Sequence, residues 1–198
     1  MLDIINQKKS MKKGTKMIDW KEFEEDLKWI AEMPTNKMII ERKWAMPNKR
    51  TFTIKPIADL IRKYAAKHWL DPFTYPYTQD ALITLSEYDD NKSKGVLFDP
   101  PYSPRQLKEC YESRGEVLHD TKSSVWSKWK DEIARVISPG GMCISFGWSS
   151  QGLGKNRGFE IIEILLIAHG GNHNDTICVV EKKMNKDLNE YRDYNKTD

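Results

Sequence analysis

Apolar residues recur at Trp20, Phe23, Leu27, Ile30 and Ala31, the spacing of one helix face. This predicts a helix over Asp19 to Met33, with Asp19 as N-cap and Pro34 just past its end. Thr35 to Asn48 follows neither a helical nor a strand period and reads as irregular. A second helix is expected from Pro56, a residue suited to the first turn, through Leu60, Ile61 and Tyr64. Beyond it, short apolar runs alternate with helical ones. His68 to Leu70 reads as a short strand, Thr78 to Tyr88 as a helix, and Gly95 to Phe98 as a buried strand ending on Asp99. Val125 to Ser138 reads as a helix turning Trp126, Trp129, Ile133 and Val136 inward, closed by Pro139-Gly140-Gly141. Met142 to Phe146 is a further buried strand, and Ile161 to Ala168 with Thr176 to Val180 form an antiparallel pair. Strand–helix–strand alternation with a closing hairpin indicates an open α/β sheet. One domain is expected over 19–183, between a mobile basic tail at 1–18 and a charged tail at 184–198.

Composition narrows the class only slightly. The 198 residues are 31% charged and 39% hydrophobic, as in ordinary globular proteins, and the formal net charge of +3 permits nucleic-acid binding without arguing for it. Three cysteines, Cys110, Cys143 and Cys178, form no CxxC pair, so neither a disulfide framework nor a zinc site is expected. His169 and His173 have metal-like spacing but fall in a Gly/Asn turn without a third ligand, so no metal is expected. The most apolar run, Ile161 to Ala168, is too short to cross a bilayer. These features suit a soluble cytoplasmic protein with no membrane partner.

The run Val96-Leu97-Phe98-Asp99-Pro100-Pro101-Tyr102-Ser103 carries the chemistry. Two prolines cannot donate to a sheet ladder, so the strand stops there and the loop leaves its carboxyl end, where open α/β sheets place ligands. Read plainly, it is a stiff strand-ending turn. Read chemically, Asp99 offers a carboxylate acceptor, Pro100 a free carbonyl and Tyr102 a flat face. An exocyclic amine on a nucleobase needs that set: two acceptors for its hydrogens and a plate for the ring.

Asp99-Pro100-Pro101-Tyr102 resembles the catalytic motif of S-adenosylmethionine-dependent amino-methyltransferases, in the form typical of adenine-N6 enzymes. Phe52-Thr53-Ile54-Lys55-Pro56 is similar to the motif holding the cofactor's methionine part, and Asp71-Pro72-Phe73 to the start of the cofactor loop. The block Trp126 to Glu181, with Ser138-Pro139-Gly140-Gly141 and Phe146-Gly147-Trp148, is similar to the back half of small phage-type adenine methyltransferases. The resemblance covers about residues 42–183. It implies a Rossmann-like, mostly parallel methyltransferase sheet, S-adenosylmethionine as donor, and double-stranded DNA with a flipped adenine as substrate. Carried over, Asp99, Pro100, Pro101 and Tyr102 are the catalytic loop, while Phe52, Thr53, Lys55, Pro56, Asp71, Pro72 and Phe73 lie along the cofactor.

The chain also departs from that pattern. Asp99 follows Asp71 by only 28 positions, without a GxG turn and without an acid ending a second strand. Losing the ribose contact weakens cofactor binding by about 2–4 kcal/mol at charged hydrogen-bond values. One or two edge strands are expected to be missing, leaving a sheet edge through which a homodimer can form. Ser103, Arg105 and Lys108 beside the hook, with Trp148, Lys155 and Arg157 in the glycine-rich stretch Gly147 to Gly158, are candidate DNA contacts. Three functions stay open: adenine-N6 methylation of DNA, DNA binding by a lapsed relative that has lost its cofactor, and methylation of RNA or another amine.

Overall fold

The structure, a computed structural model, describes residues 38–65, 69–73, 80–112 and 124–185, with only the backbone of 110–112. All of them belong to one compact unit, Pro34–Asp198. The expected tail at 1–18, the helix over Asp19 to Met33 and the end of the chain beyond Asn185 lie outside the described residues.

Five strands form one mixed sheet: β1 (Ile39–Trp44), β2 (Ser93–Phe98), β3 (Ile137–Gly147), β4 (Phe159–Ala168) and β5 (Thr176–Lys183), in the order β1-β4-β5-β3-β2. β1 pairs parallel with β4, and β2 with β3, whereas β5 runs antiparallel to both β3 and β4. Four strands therefore share one direction and only β5 is reversed. Beyond β2, Leu70 adds a single parallel bridge: its N–H donates to Gly95 O at 3.0 Å, and Leu97 N–H donates to its carbonyl at 2.8 Å. The short strand expected at His68 to Leu70 is thus reduced to one residue, with 66–68 outside the described residues. Trp69 lies across Gly95, where a Cβ would come within 2.2 Å of its ring, so only glycine admits the indole against β2.

Helices cover the two faces. α1 (Lys55–Tyr64), with Pro56 in its first turn, buries Ile57, Leu60 and Tyr64. Tyr64 and Lys63 both donate to Glu163 on β4. On the other face lie α2 (Ala81–Ser86), α3 (Pro104–Glu112) and α4 (Ser124–Val136). Asp80 caps α2 by accepting from Leu82 N–H at 2.7 Å. Side-chain alternation along β3 sorts the layers: Cys143 joins the cluster with Leu107, Trp129 and Ile133, while Phe146 turns to Phe52 before α1.

Three expectations are corrected. Thr35 to Asn48 contains a strand, β1, which the pattern hid because it is an edge strand whose residues are mostly exposed, Ile40 at 66% and Trp44 at 65%. The helix of Val125 to Ser138 stops at Val136, because Ile137 joins the β2 ladder and the Ser138 hydroxyl donates to Ser93 O at 3.1 Å. Its inward stripe is Val125, Trp129, Ile133 and Val136; Trp126 stands beside the stripe and is only half-buried.

Candidate active site

The hook forms where the prolines end β2. Ser103 starts α3, its hydroxyl accepting from Gln106 N–H at 3.2 Å, and Gln106 returns an acceptor to Tyr102 N–H at 2.8 Å. Trp126 on α4 donates its indole N–H to Pro101 O at 3.2 Å. The loop is therefore fastened from both sides. Within it, the Tyr102 hydroxyl donates to Asp99 Oδ1 at 2.7 Å, and the Thr51 side chain lies near enough to both groups to favour their charged forms. Burial raises the Asp99 carboxyl above the ordinary carboxylate range, and the bond from Tyr102 and the nearby Thr51 side chain offset this only in part. Tyr102 is raised too, first by burial and then by the Asp99 charge.

Beside the hook opens a cavity of about 210 Å³. Phe98, Tyr102, Trp126, Phe146 and Trp148 give it aromatic walls, with Tyr102 and Trp148 edge to face at 5.7 Å between centroids. Lys130, Ser145 and Ser149 supply its polar lining. Among the described residues that is room for one ring system.

Glu181 shapes the loop that brings Trp148, Ser149 and Gly152 to this cavity. Fully buried on β5, it accepts from Leu153 N–H at 2.6 Å and Gly154 N–H at 2.9 Å. Gly152 sits at φ +54°, and a Cβ there would lie 2.2 Å from Glu181 Oε2, so the loop can wrap the carboxylate only with glycine.

The sequence-predicted residues divide sharply. Pro100, Tyr102 and Trp148 line the cavity together with Phe146, on which the Phe52 ring packs at 5.1 Å, while Asp99 is joined to them through Tyr102 and Pro101 through the Trp126 indole. Thr53 does not join them: its hydroxyl donates to Arg50 O at 2.8 Å on the surface. Lys55 pairs with Asp59 at 3.0 Å across one exposed turn, and Pro56 serves the first turn of α1. Asp71 uses one oxygen to accept Phe73 N–H at 3.0 Å, Pro72 is buried, and Phe73 packs on Phe98 and Trp129 as a core aromatic. Arg157 is spent on structure, reaching Asp131, Ser127 and the Leu153 carbonyl. Ser103 is a helix cap, Arg105 pairs with Glu109, and Lys108 and Lys155 are exposed. Thr51, Lys130 and Glu181 were missed. The four-residue step from Trp126 to Lys130, off the apolar stripe, is a signal that points to Lys130.

His169 is buried with both ring nitrogens engaged, by Ala45 O at 2.8 Å and Thr176 Oγ1 at 2.9 Å, so it is a structural pin. No group of three or more His, Cys, Asp or Glu among the described residues is placed to hold a metal. No helix among the described residues is long and apolar enough to cross a membrane.

Compared with models of known families and with curated protein sequences, the chain matches none. Among solved structures it is similar to the crystal structure of PH0851, at 16% identity and a TM-score of 0.32. That likeness covers 75% of this chain and 38% of the other, and is too slight to carry a fold or a function.

Proposed function

We propose that this chain is a DNA adenine-N6 methyltransferase by design, in which the Asp99–Tyr102 loop grips the exocyclic amine of a flipped adenine. The observation that carries this reading is the hook itself: an acid, two prolines and a tyrosine at the carboxyl end of β2, opening on an aromatic cavity of one-ring size. The strand order supports it. A parallel stub at Leu70 beside β2 is what a methyltransferase-like sheet retains when the strands beyond its first are cut away. Asp99 and the Pro100 carbonyl accept the two amine hydrogens, which favours pyramidal nitrogen and turns its lone pair outward. Tyr102 and Trp148 hold the ring.

S-adenosylmethionine is the donor this reading requires, and the described residues do not fit it whole. Phe73 packs against the core, Asp71 bonds its own turn, and Lys55 and Thr53 are exposed with local partners. That misfit favours a second reading, a DNA-binding relative that keeps the base pocket and transfers no methyl group.

One experiment separates them. The full chain is titrated with S-adenosylmethionine by calorimetry, then incubated with duplex DNA and, in parallel, RNA, whose nucleosides are analysed by mass spectrometry. Binding heat and N6-methyladenine in DNA, lost in Asp99→Ala, support the first reading. DNA binding without cofactor heat or methyl mark supports the second. A mark confined to RNA overturns the DNA assignment.

A further inference from the structure

Among the described residues, Lys130 is the one charged residue lining the cavity. It stands one turn past Trp126 on the same side of α4, so the helix that pins the hook through the indole also lines the cavity with a lysine. The side chain is half-buried, and its ammonium makes no hydrogen bond or ion pair among the described residues. The carboxylate that attracts it, Glu181, has both oxygens committed to Leu153 and Gly154. Burial and the Arg157 charge both disfavour the protonated form, while Glu181 favours it. A desolvated cation with uncommitted donors gains from any acceptor that enters the cavity.

We propose that Lys130 is a specificity-determining residue of this pocket, donating to a ring nitrogen that flanks the amine, N1 or N7, of a bound aminopurine whose amine faces the Asp99–Pro100 hook. The inference rests on the nucleobase pocket common to both readings above and does not depend on methyl transfer. It splits recognition in two. The hook reads hydrogens on the exocyclic nitrogen, and Lys130 reads a lone pair on the ring. A ring that presents a carbon in place of that nitrogen leaves the ammonium facing C–H, with its desolvation uncompensated. The hydroxyls of Ser145 and Ser149 can donate or accept and so do not make that distinction.

The test uses free nucleosides and the intact chain. Adenosine, 1-deazaadenosine and 7-deazaadenosine are titrated separately, followed by calorimetry and by the fluorescence of Trp126 and Trp148 in the cavity wall. Wild type is expected to bind adenosine and to bind one deaza analogue at least about tenfold more weakly, the range of a charge-assisted hydrogen bond. In Lys130→Met, adenosine is expected to fall to the level of that analogue, and the analogue itself to fall no further. Lys130→Arg, which keeps a cationic donor, is expected to restore part of the discrimination. Equal affinity of wild type for all three nucleosides overturns the proposal, and so does undiminished adenosine binding by Lys130→Met. Either result leaves the nucleobase pocket standing if Tyr102→Ala abolishes binding. Absence of any nucleoside binding to wild type removes both together. The deaza series on the unmodified chain decides the matter even if Lys130→Met fails to fold.

Discussion

The Tyr102 hydroxyl donates to Asp99 at 2.7 Å, so the plate and the acid of the hook satisfy each other across three residues. An incoming amine therefore competes with a phenol for one carboxylate oxygen. Tyr102→Phe removes the competitor and also a hydrogen bond to a mostly buried acid. Chemical denaturation is expected to show a loss of about 1–3 kcal/mol at neutral pH. Adenosine affinity is expected to hold or improve, since the aromatic face remains. A fall in both stability and affinity to the level of Tyr102→Ala would show that the hydroxyl, rather than the ring, holds the base.

Burial sets a pH signature. The Asp99 carboxyl is raised in the folded chain above its ordinary value of 3.8. The native state then holds a proton that the unfolded chain has released, so this group favours folding below its ordinary value and loses that contribution as pH climbs through the raised one. Asp99→Asn cannot ionise. It is expected to be more stable than wild type at pH 7, with the difference vanishing near pH 3. Amine binding has the opposite demand, because only the ionised acid offers two acceptors free of a proton. Wild-type adenosine affinity should rise with pH through the window in which Asp99 ionises, and a flat profile measured by calorimetry would exclude Asp99 as the acceptor.

The parts of this arrangement legible in sequence were those fixed by local rules. Prolines end a strand, so Asp99 at a strand's edge was readable from Phe98-Asp99-Pro100-Pro101, as was the hairpin of β4 and β5 from two apolar runs around His169 to His173. What stayed hidden depended on neighbours distant in the chain. β1 shows no alternation because an edge strand with both faces largely wet has no face to mark. Thr51 reaches Asp99 across 48 positions, and Glu181 reaches Leu153 across 28, through sheet order rather than motif. Phe73 matched a cofactor motif by its letters, yet Phe98 and Trp129 offered its ring a drier place.

Glu181 is expected to be the strongest single support of the cavity's far wall. Glu181→Ala leaves Leu153 N–H and Gly154 N–H without their acceptor in a buried setting, for an expected loss of about 2–4 kcal/mol by urea denaturation. Glu181→Gln keeps one carbonyl oxygen in place and should recover about half of that. Burial raises the Glu181 carboxyl, and the two backbone donors and Lys130 oppose the rise. The same pH reasoning applies: its contribution in the protonated form fades as pH climbs through the raised value. The Trp148 environment follows the loop, so its emission should shift in Glu181→Ala. An unmoved spectrum with full stability would mean that the loop holds its course without the carboxylate.

The basic residues proposed to meet DNA can be sorted by what already holds them. Arg157 donates to Asp131 at 2.7 Å, to Ser127 at 2.9 Å and to the Leu153 carbonyl at 2.9 Å, so it ties the glycine-rich loop to α4. Lys155, two residues before it, is exposed. If the loop lies along a phosphate backbone, removing a contacting cation lowers the slope of log affinity against log salt by about 0.9. Lys155→Ala is expected to show that reduction with unchanged stability. Arg157→Ala is expected to do the reverse, costing about 1 kcal/mol of stability while leaving the salt slope unaltered, because its guanidinium is already engaged by the protein. Parallel binding isotherms at several salt concentrations, with a melting curve for each variant, read both quantities. A reduced slope in Arg157→Ala alone would mean that the arginine exchanges Asp131 for a phosphate, and that DNA itself loosens the loop from α4.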